Sequence, residues 1–253
     1  MTVKIERWVN DWFQSRVRDC TPVSASNTAT VLHAPFSPQP EVSQQCALIL
    51  SERERIRASR FITEEEKARF IQRRAFRRYC ALLADGSRND LSQAEFRQTD
   101  KGRPYLPGRT DIWFSFASCS AGCLAAWSST HSVGIDIEDL TQNIEASDLA
   151  RSFYSEAEAT EVSGLEGVES SETFLRYWSL KEAALKTIGE GLPFGLDAFE
   201  FKLDPNVSVV KAPGDASQFV AYTVSVPDSV AALIVRKIGG KSSSVAFQGP
   251  AMR

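Results

Sequence analysis

Two acidic segments, Val133 to Glu138 (VGIDIE) and Tyr177 to Lys186 (YWSLKEAALK), hold the residue types from which a cation site can be made. In the first, Val133, Ile135 and Ile137 alternate with Gly134, Asp136 and Glu138. Read as a strand, the period of two sends the aliphatics to a core face and both carboxylates to the opposite face. In the second, Trp178, Leu185 and Ile188 recur at helical spacing, and Glu182 and Lys186 sit one turn apart on one side. Two acids from a strand and one from a helix form a hard oxygen donor set for a divalent cation, with lysines at hand for phosphate. The chemistry implied is metal-assisted work on a diphosphate. Each piece also has a plainer reading. Asp136 and Glu138 would suit the wet face of an edge strand, and Glu182 with Lys186 a surface pair contributing ~0.2–0.5 kcal/mol.

Positioning such a site requires elements on both sides of it. Thr28 to Ala34 reads as a first strand, followed by a loop with Pro35, Pro38 and Pro40. Ser51 with Glu54, and Thr63 with Glu66, carry the S/T-x-x-E pattern of helix starts, the second opening a long helix to Gly86. One stripe of that helix is apolar (Phe70, Ile71, Ala75, Tyr79); the rest is basic, with Arg69, Arg73, Arg74, Arg77 and Arg78. Such a crowd of like charges calls for an anion or for acids to answer it. Lys101-Gly102-Arg103-Pro104 is a turn, and Trp113 to Ser118 and Gly122 to Ser128 are strands leading into VGIDIE. Helices are expected over Ile144 to Arg151, from Ser155, and through YWSLKEAALK to Gly189, with a Gly/Ser/Glu loop from Ser163 to Ser171. Strands follow near Ala198 to Lys202, Ser208 to Val210, Gln218 to Val224 and Ala231 to Arg236.

The chain has 253 residues, 43% hydrophobic and 24% charged, enough for one large domain or two halves, each with a core. A formal net charge of -3 argues against general nucleic-acid binding. No apolar run reaches the ~20 residues of a membrane span, and the amino terminus does not read as a signal peptide. Five cysteines without CxxC spacing and two histidines make a zinc site unpromising and point to reduced thiols in a cytoplasmic protein. The expected organisation is an extension over 1–28, a first half over 29–130, a second half over 131–238 and a disordered tail over 239–253.

In their order along the chain, LSERERIRASRF (Leu50 to Phe61), ARFIQRRAFRR (Ala68 to Arg78), KGRPYL, FSFASCS, VGIDIE, FYSEAE and WSLKEAALKTIGEGL resemble the 4′-phosphopantetheinyl transferases, in particular the larger, surfactin-synthetase-activating type. The resemblance implies an α+β fold of two similar halves, each a small, mainly antiparallel sheet packed with helices, with the active site in the cleft between them. It implies an enzyme that moves the 4′-phosphopantetheine arm of coenzyme A onto a serine of an acyl or peptidyl carrier protein, releasing adenosine 3′,5′-bisphosphate. Such carriers serve fatty acid, polyketide or nonribosomal peptide synthesis.

By the same similarity, Asp136 and Glu182 are ligands of magnesium (or manganese), and Glu138 is a ligand directly or through water. Glu182, or a water on the cation, would take the serine proton, and Lys181 and Lys186 would contact phosphate oxygens. Arg78, with Arg74 second, matches an arginine placed on the 3′-phosphate of coenzyme A. Lys101 and Arg103 flank the family's G-K-P turn, here Gly102-Arg103-Pro104, and would meet the adenine nucleotide. The family's Ser-His-Ser reads Ser118-Cys119-Ser120 here, and a neutral thiol cannot make the charge-assisted bond of an imidazolium. This departure implies weaker coenzyme A binding, and as the alternative a homologue that binds coenzyme A or a carrier without efficient catalysis. Carrier docking is expected near Phe153, Tyr154 and the loop from Ser163 to Ser171. A monomer, no nucleic acid and no membrane complete the expectation.

Overall fold

Three helix starts in this chain are set by side chains that satisfy free N–H groups of the first turn. The computed structural model describes residues 2–86, 91–141 and 144–238. In chain order its elements are α1 (Thr2–Arg16), β1 (Arg18–Asp19), β2 (Thr30–Ala34), α2 (Pro40–Leu48), α3 (Glu52–Ala58), α4 (Glu64–Asp85), β3 (Arg97–Gln98), β4 (Pro104–Tyr105), β5 (Trp113–Cys119), β6 (Gly122–Ser128) and β7 (His131–Asp139). There follow α5 (Ala146–Phe153), α6 (Glu156–Ser163), α7 (Gly167–Ile188), β8 (Glu200–Lys202), β9 (Ser208–Lys211), β10 (Phe219–Val224) and β11 (Ser229–Lys237). Ser51 and Ser155 cap α3 and α6 with full capping boxes, and Thr63 caps α4. Gly86 and Gly189, both left-handed, end the two long helices.

The fold is α+β, with small antiparallel sheets. A four-stranded sheet in the order β1-β2-β6-β5 belongs to the first half, and a three-stranded sheet in the order β10-β11-β7 to the second. On the first sheet, α1, α2 and α4 bury one core, including Val9, Phe13, Cys46, Ile71, Phe76 and Cys80. In the second half, α7 lies on β7 and β11 over Phe174, Leu180, Ala184, Ala232 and Ile234. A third core joins the two sheets: Val31, Leu124 and Ala126 from the first meet Val133, Ile135, Ile137, Leu233 and Val235 from the second.

Two expectations about elements change, and a third is left untested. The first residues are part of the first half's core, because Val9 and Phe13 of α1 are fully buried against α4. Most of the supposed loop from Ser163 to Ser171 is helix, since α7 already begins at Gly167 and buries Ser170 and Thr173. The 239–253 tail lies outside the described residues.

Candidate active site

The alternation in VGIDIE holds. Val133, Ile135 and Ile137 enter the joining core, while Gly134, Asp136 and Glu138 face the side that α7 covers. That face is not open to water, and Asp136 is 5% exposed. Close packing depends on Gly134, where a Cβ would lie 1.9 Å from the carbonyl oxygen of Ala183 and 2.7 Å from the nitrogen of Thr187. With no side chain in the way, α7 lies directly on β7 and its Lys186 reaches Asp136.

Lys186 Nζ donates to Asp136 Oδ1 at 2.6 Å and to the carbonyl of Ile135 at 3.3 Å. Asp136 Oδ2 is buried without a hydrogen-bond partner. Burial raises the Asp136 pKa, opposed by Lys186; Glu182, half-buried, is also raised by burial, opposed by Lys186 and assisted by the charge of Asp136. A buried carboxylate oxygen without a partner, a second carboxylate within electrostatic reach and a lysine between them fit a hard cation. Two protein carboxylates suffice for magnesium when substrate oxygens and water complete the shell. The expected convergence of three acids is corrected: among the described residues no three His, Cys, Asp or Glu side chains gather closely enough to hold a metal ion. Glu138 acts electrostatically on Tyr154 instead. The physical reason is packing: Lys186 of α7 takes Asp136 Oδ1, while Glu138 lies at the less buried end of β7.

Beside the carboxylates a cleft of about 210 Å³ opens between the halves. Its walls include Arg77, Lys101, Arg103 and Phe116 from the first half, and Lys186, Gly189 and Glu190 from the second. Arg77, Gln98 and Phe116 also line a neighbouring cavity of about 320 Å³, whose walls add Arg57, Arg73, Arg74 and Ser118. The two adjoin at these shared walls and together are called the trough, which is rich in cations and reaches Lys186, the partner of Asp136. Arg103 stacks on Trp113 with its guanidinium carbon 3.4 Å from the ring centre, and burial pulls its pKa down to about 10. Lys101 is ion-paired with Glu190 across the mouth.

The arginines of α4 divide by helical face. Arg73 donates to Ser118 Oγ at 3.3 Å, and Arg77 lies over the Phe116 ring at 4.8 Å. Burial lowers the pKa of Arg77 to about 10, aided by the neighbouring Arg74. Arg74 and Arg78 turn the other way, toward Glu54 of α3. Arg74 still lines the trough, but Arg78 does not. It is 1% exposed and bonds Glu54 Oε2 at 2.5 Å and the carbonyls of Leu91 and Ser92 at 3.1 and 2.7 Å. Its expected phosphate contact is therefore corrected to an internal tie, and the arginine missed by the sequence reading is Arg77. The i,i+4 spacing of Arg73 and Arg77 was the signal.

Lys181 is corrected likewise. It is fully buried in the second half, with Nζ bonded to Glu158 Oε2 at 2.7 Å and to the carbonyls of Leu196 and Phe199 at 3.0 and 2.6 Å. An ammonium saturated by three oxygens has no place at a phosphate. Cys119 is the fourth correction. On a strand, neighbours face opposite ways, and it is Ser118 that lines the trough, while the Cys119 thiol packs into the joining core 3.7 Å from Ser229 Oγ. Burial pushes the Cys119 pKa up to about 11, so the thiol is neutral. Ser120 is engaged by Asp139 through both its N–H and its hydroxyl.

A trough of cations that reaches a lysine paired with a buried carboxylate can hold a polyphosphate-bearing ligand. The profile of the 4′-phosphopantetheinyl transferase superfamily matches residues 132–234, from β7 to β11. The chain is 31% identical over 171 residues to the 4′-phosphopantetheinyl transferase HetI of Nostoc sp., covering 66% of this chain and 71% of that one. It is 28% identical over 188 residues to a 4′-phosphopantetheinyl transferase of Bacillus subtilis, covering 74% and 81%. With the 4′-phosphopantetheinyl transferase Sfp of Bacillus subtilis (strain 168), identity is 31% over 122 residues, 47% of this chain and 53% of that one. By sequence, fold and site the chain belongs to the 4′-phosphopantetheinyl transferase superfamily.

Proposed function

We propose that the trough binds coenzyme A with its diphosphate at Lys186 and its adenosine 3′-phosphate among Arg73, Arg74 and Arg77, and that a carrier-protein serine attacks beside Asp136. The observation that carries this reading is the Lys186–Asp136 pair, which joins the cationic trough to the buried, partnerless Oδ2. In the reaction the serine oxygen bonds to the phosphorus bearing pantetheine, the bond to adenosine 3′,5′-bisphosphate breaks, and the serine proton departs. Asp136 and Glu182 would hold magnesium (manganese as a substitute), which neutralises diphosphate oxygens and so eases attack by the serine. Glu138 belongs to this proposal as a contributor through water. Lys186 steadies the charge that develops on the leaving phosphate, and Arg103, braced on Trp113, meets the nucleotide with Lys101 at the mouth. Burial raises the Glu182 pKa, which suits its carboxylate to take the serine proton.

In this reading a carrier docks over the second half near the exposed Phe153. Tyr154 is an inward partner that bonds the Phe174 carbonyl and stacks on its ring, so its role is to seat Phe153 rather than to touch the carrier. The five cysteines are all free, in keeping with a reducing cytoplasm, and no helix among the described residues is long and apolar enough to cross a membrane. A monomer fits a site completed within one chain. The reading of a weakened, non-catalytic homologue rested on Cys119, which lies on the other face of β5, so no observation now favours it.

The test is mass spectrometry of an apo carrier protein incubated with coenzyme A and magnesium. Addition of one phosphopantetheine arm, lost when the metal is chelated and lost again in Asp136→Asn and Glu182→Gln, is the expected result. Nucleotide binding without any mass gain across a panel of acyl and peptidyl carriers would refute it.

A further inference from the structure

Ser115 bonds the first half to the second beside Asp136, as Ser120 does further along β7 at Asp139. It lies in β5, the last strand of the first sheet, and is 2% exposed. β5 packs along β7 without a ladder to it, since the two strands belong to separate sheets. In place of a ladder, Ser115 Oγ accepts the N–H of Ile135 at 3.0 Å. From the other side, Lys186 of α7 bonds the Ile135 carbonyl and holds the adjacent Asp136. The backbone on both sides of Ile135 is thus gripped, once from the first half and once from α7. The neighbours of Ser115 on β5 are Phe114, Phe116 and Ala117, so alanine would pack as well. Ser115 also stands in the wall of the 210 Å³ cleft, and a hydroxyl so nearly buried is favourable where it is bonded.

We propose that Ser115 is a positioning residue for the cation site: its hydroxyl fixes β7 against the first sheet and so sets Asp136 relative to the trough. This rests on Asp136 being a ligand of the cation. A carboxylate ligand is useful only when held to within a few tenths of an ångström. Groups that hold ligands from behind typically govern ~10–100-fold of metal affinity.

The experiment is Mn²⁺ titration of the full chain by electron paramagnetic resonance, with adenosine 3′,5′-bisphosphate affinity and thermal melting measured in parallel. Ser115→Ala is expected to weaken Mn²⁺ binding by ~10–100-fold and to change bisphosphate affinity far less; Ser115→Thr, which keeps the hydroxyl, should restore the metal. Unchanged Mn²⁺ affinity in Ser115→Ala overturns the proposal. So does an equal loss of both ligands together with a lowered melting temperature, which would mark general loosening. Wild-type protein that binds no Mn²⁺ refutes the reading of Asp136 as a ligand, a failure seen before any variant is compared.

Discussion

Lys181 and Lys186 belong to the same helical motif, yet the structure gives them opposite work. Lys181 closes a dry network in which Glu158 also accepts the N–H groups of Ser155 and Phe201. Removing one partner of a buried pair leaves the other charge uncompensated, at a cost of ~3–5 kcal/mol. Lys181→Met is therefore expected to melt at a much lower temperature while keeping its KM for coenzyme A when assayed in the cold; a raised KM at unchanged melting temperature would return Lys181 to the phosphate. The same division runs through α4. Arg77→Ala should raise the KM for coenzyme A by roughly 10–100-fold, matching a lost charge-assisted bond of ~1.5–3 kcal/mol, with the fold intact. Arg78→Ala should do the reverse, since it strands Glu54 and two buried carbonyls. Steady-state kinetics with paired melting curves separate the two outcomes. The types of these residues were legible in the sequence. Their facing was not, because a run of adjacent arginines matches a motif equally well in either register, and only the acid at Glu54 decides which pair turns inward.

Among the elements, the long helix α7 meets the strand β7 in close backbone contact at Gly134. Gly134→Ala places a methyl group inside the van der Waals radius of the Ala183 carbonyl, and backbone cannot yield as a side chain would. The helix must lift, so Lys186 loses its reach to Asp136. Overpacking of this kind costs ~1–3 kcal/mol. The expected result is a lowered melting temperature together with loss of carrier modification, and full activity would show that the contact is not needed. Strand alternation and capping residues made β7, α3, α4 and α6 readable in advance, because those signals are local. Two elements escaped for physical reasons. Gly167, at positive φ, begins α7 inside a stretch whose composition reads as loop, and only tertiary burial of Ser170 and Thr173 reveals the helix. Helix α1 shows its inward stripe as Ile5, Val9 and Phe13, spaced by four, but its mixed composition hid the pattern behind exposed Trp8 and polar residues.

At the scale of the molecule, the two sheets do not merely adjoin. The core between them draws Val31, Leu124 and Ala126 from one and Ile135, Leu233 and Val235 from the other, so neither half has a complete interior alone. The site depends on this arrangement, since its cations come mostly from the first half and its carboxylates from the second. A chain built this way should lose both halves in one step, because opening the joint exposes core belonging to each. Ile135, fully buried at that joint, gives the test. Ile135→Ala is expected to lower stability by ~2–5 kcal/mol, the usual range for such a truncation. The calorimetric trace should remain one transition, shifted as a whole, in the wild type and the variant alike. Two resolved peaks, with one unmoved by the substitution, would show halves that fold independently, and the trough would then lie between two hinged bodies rather than within a single cooperative unit.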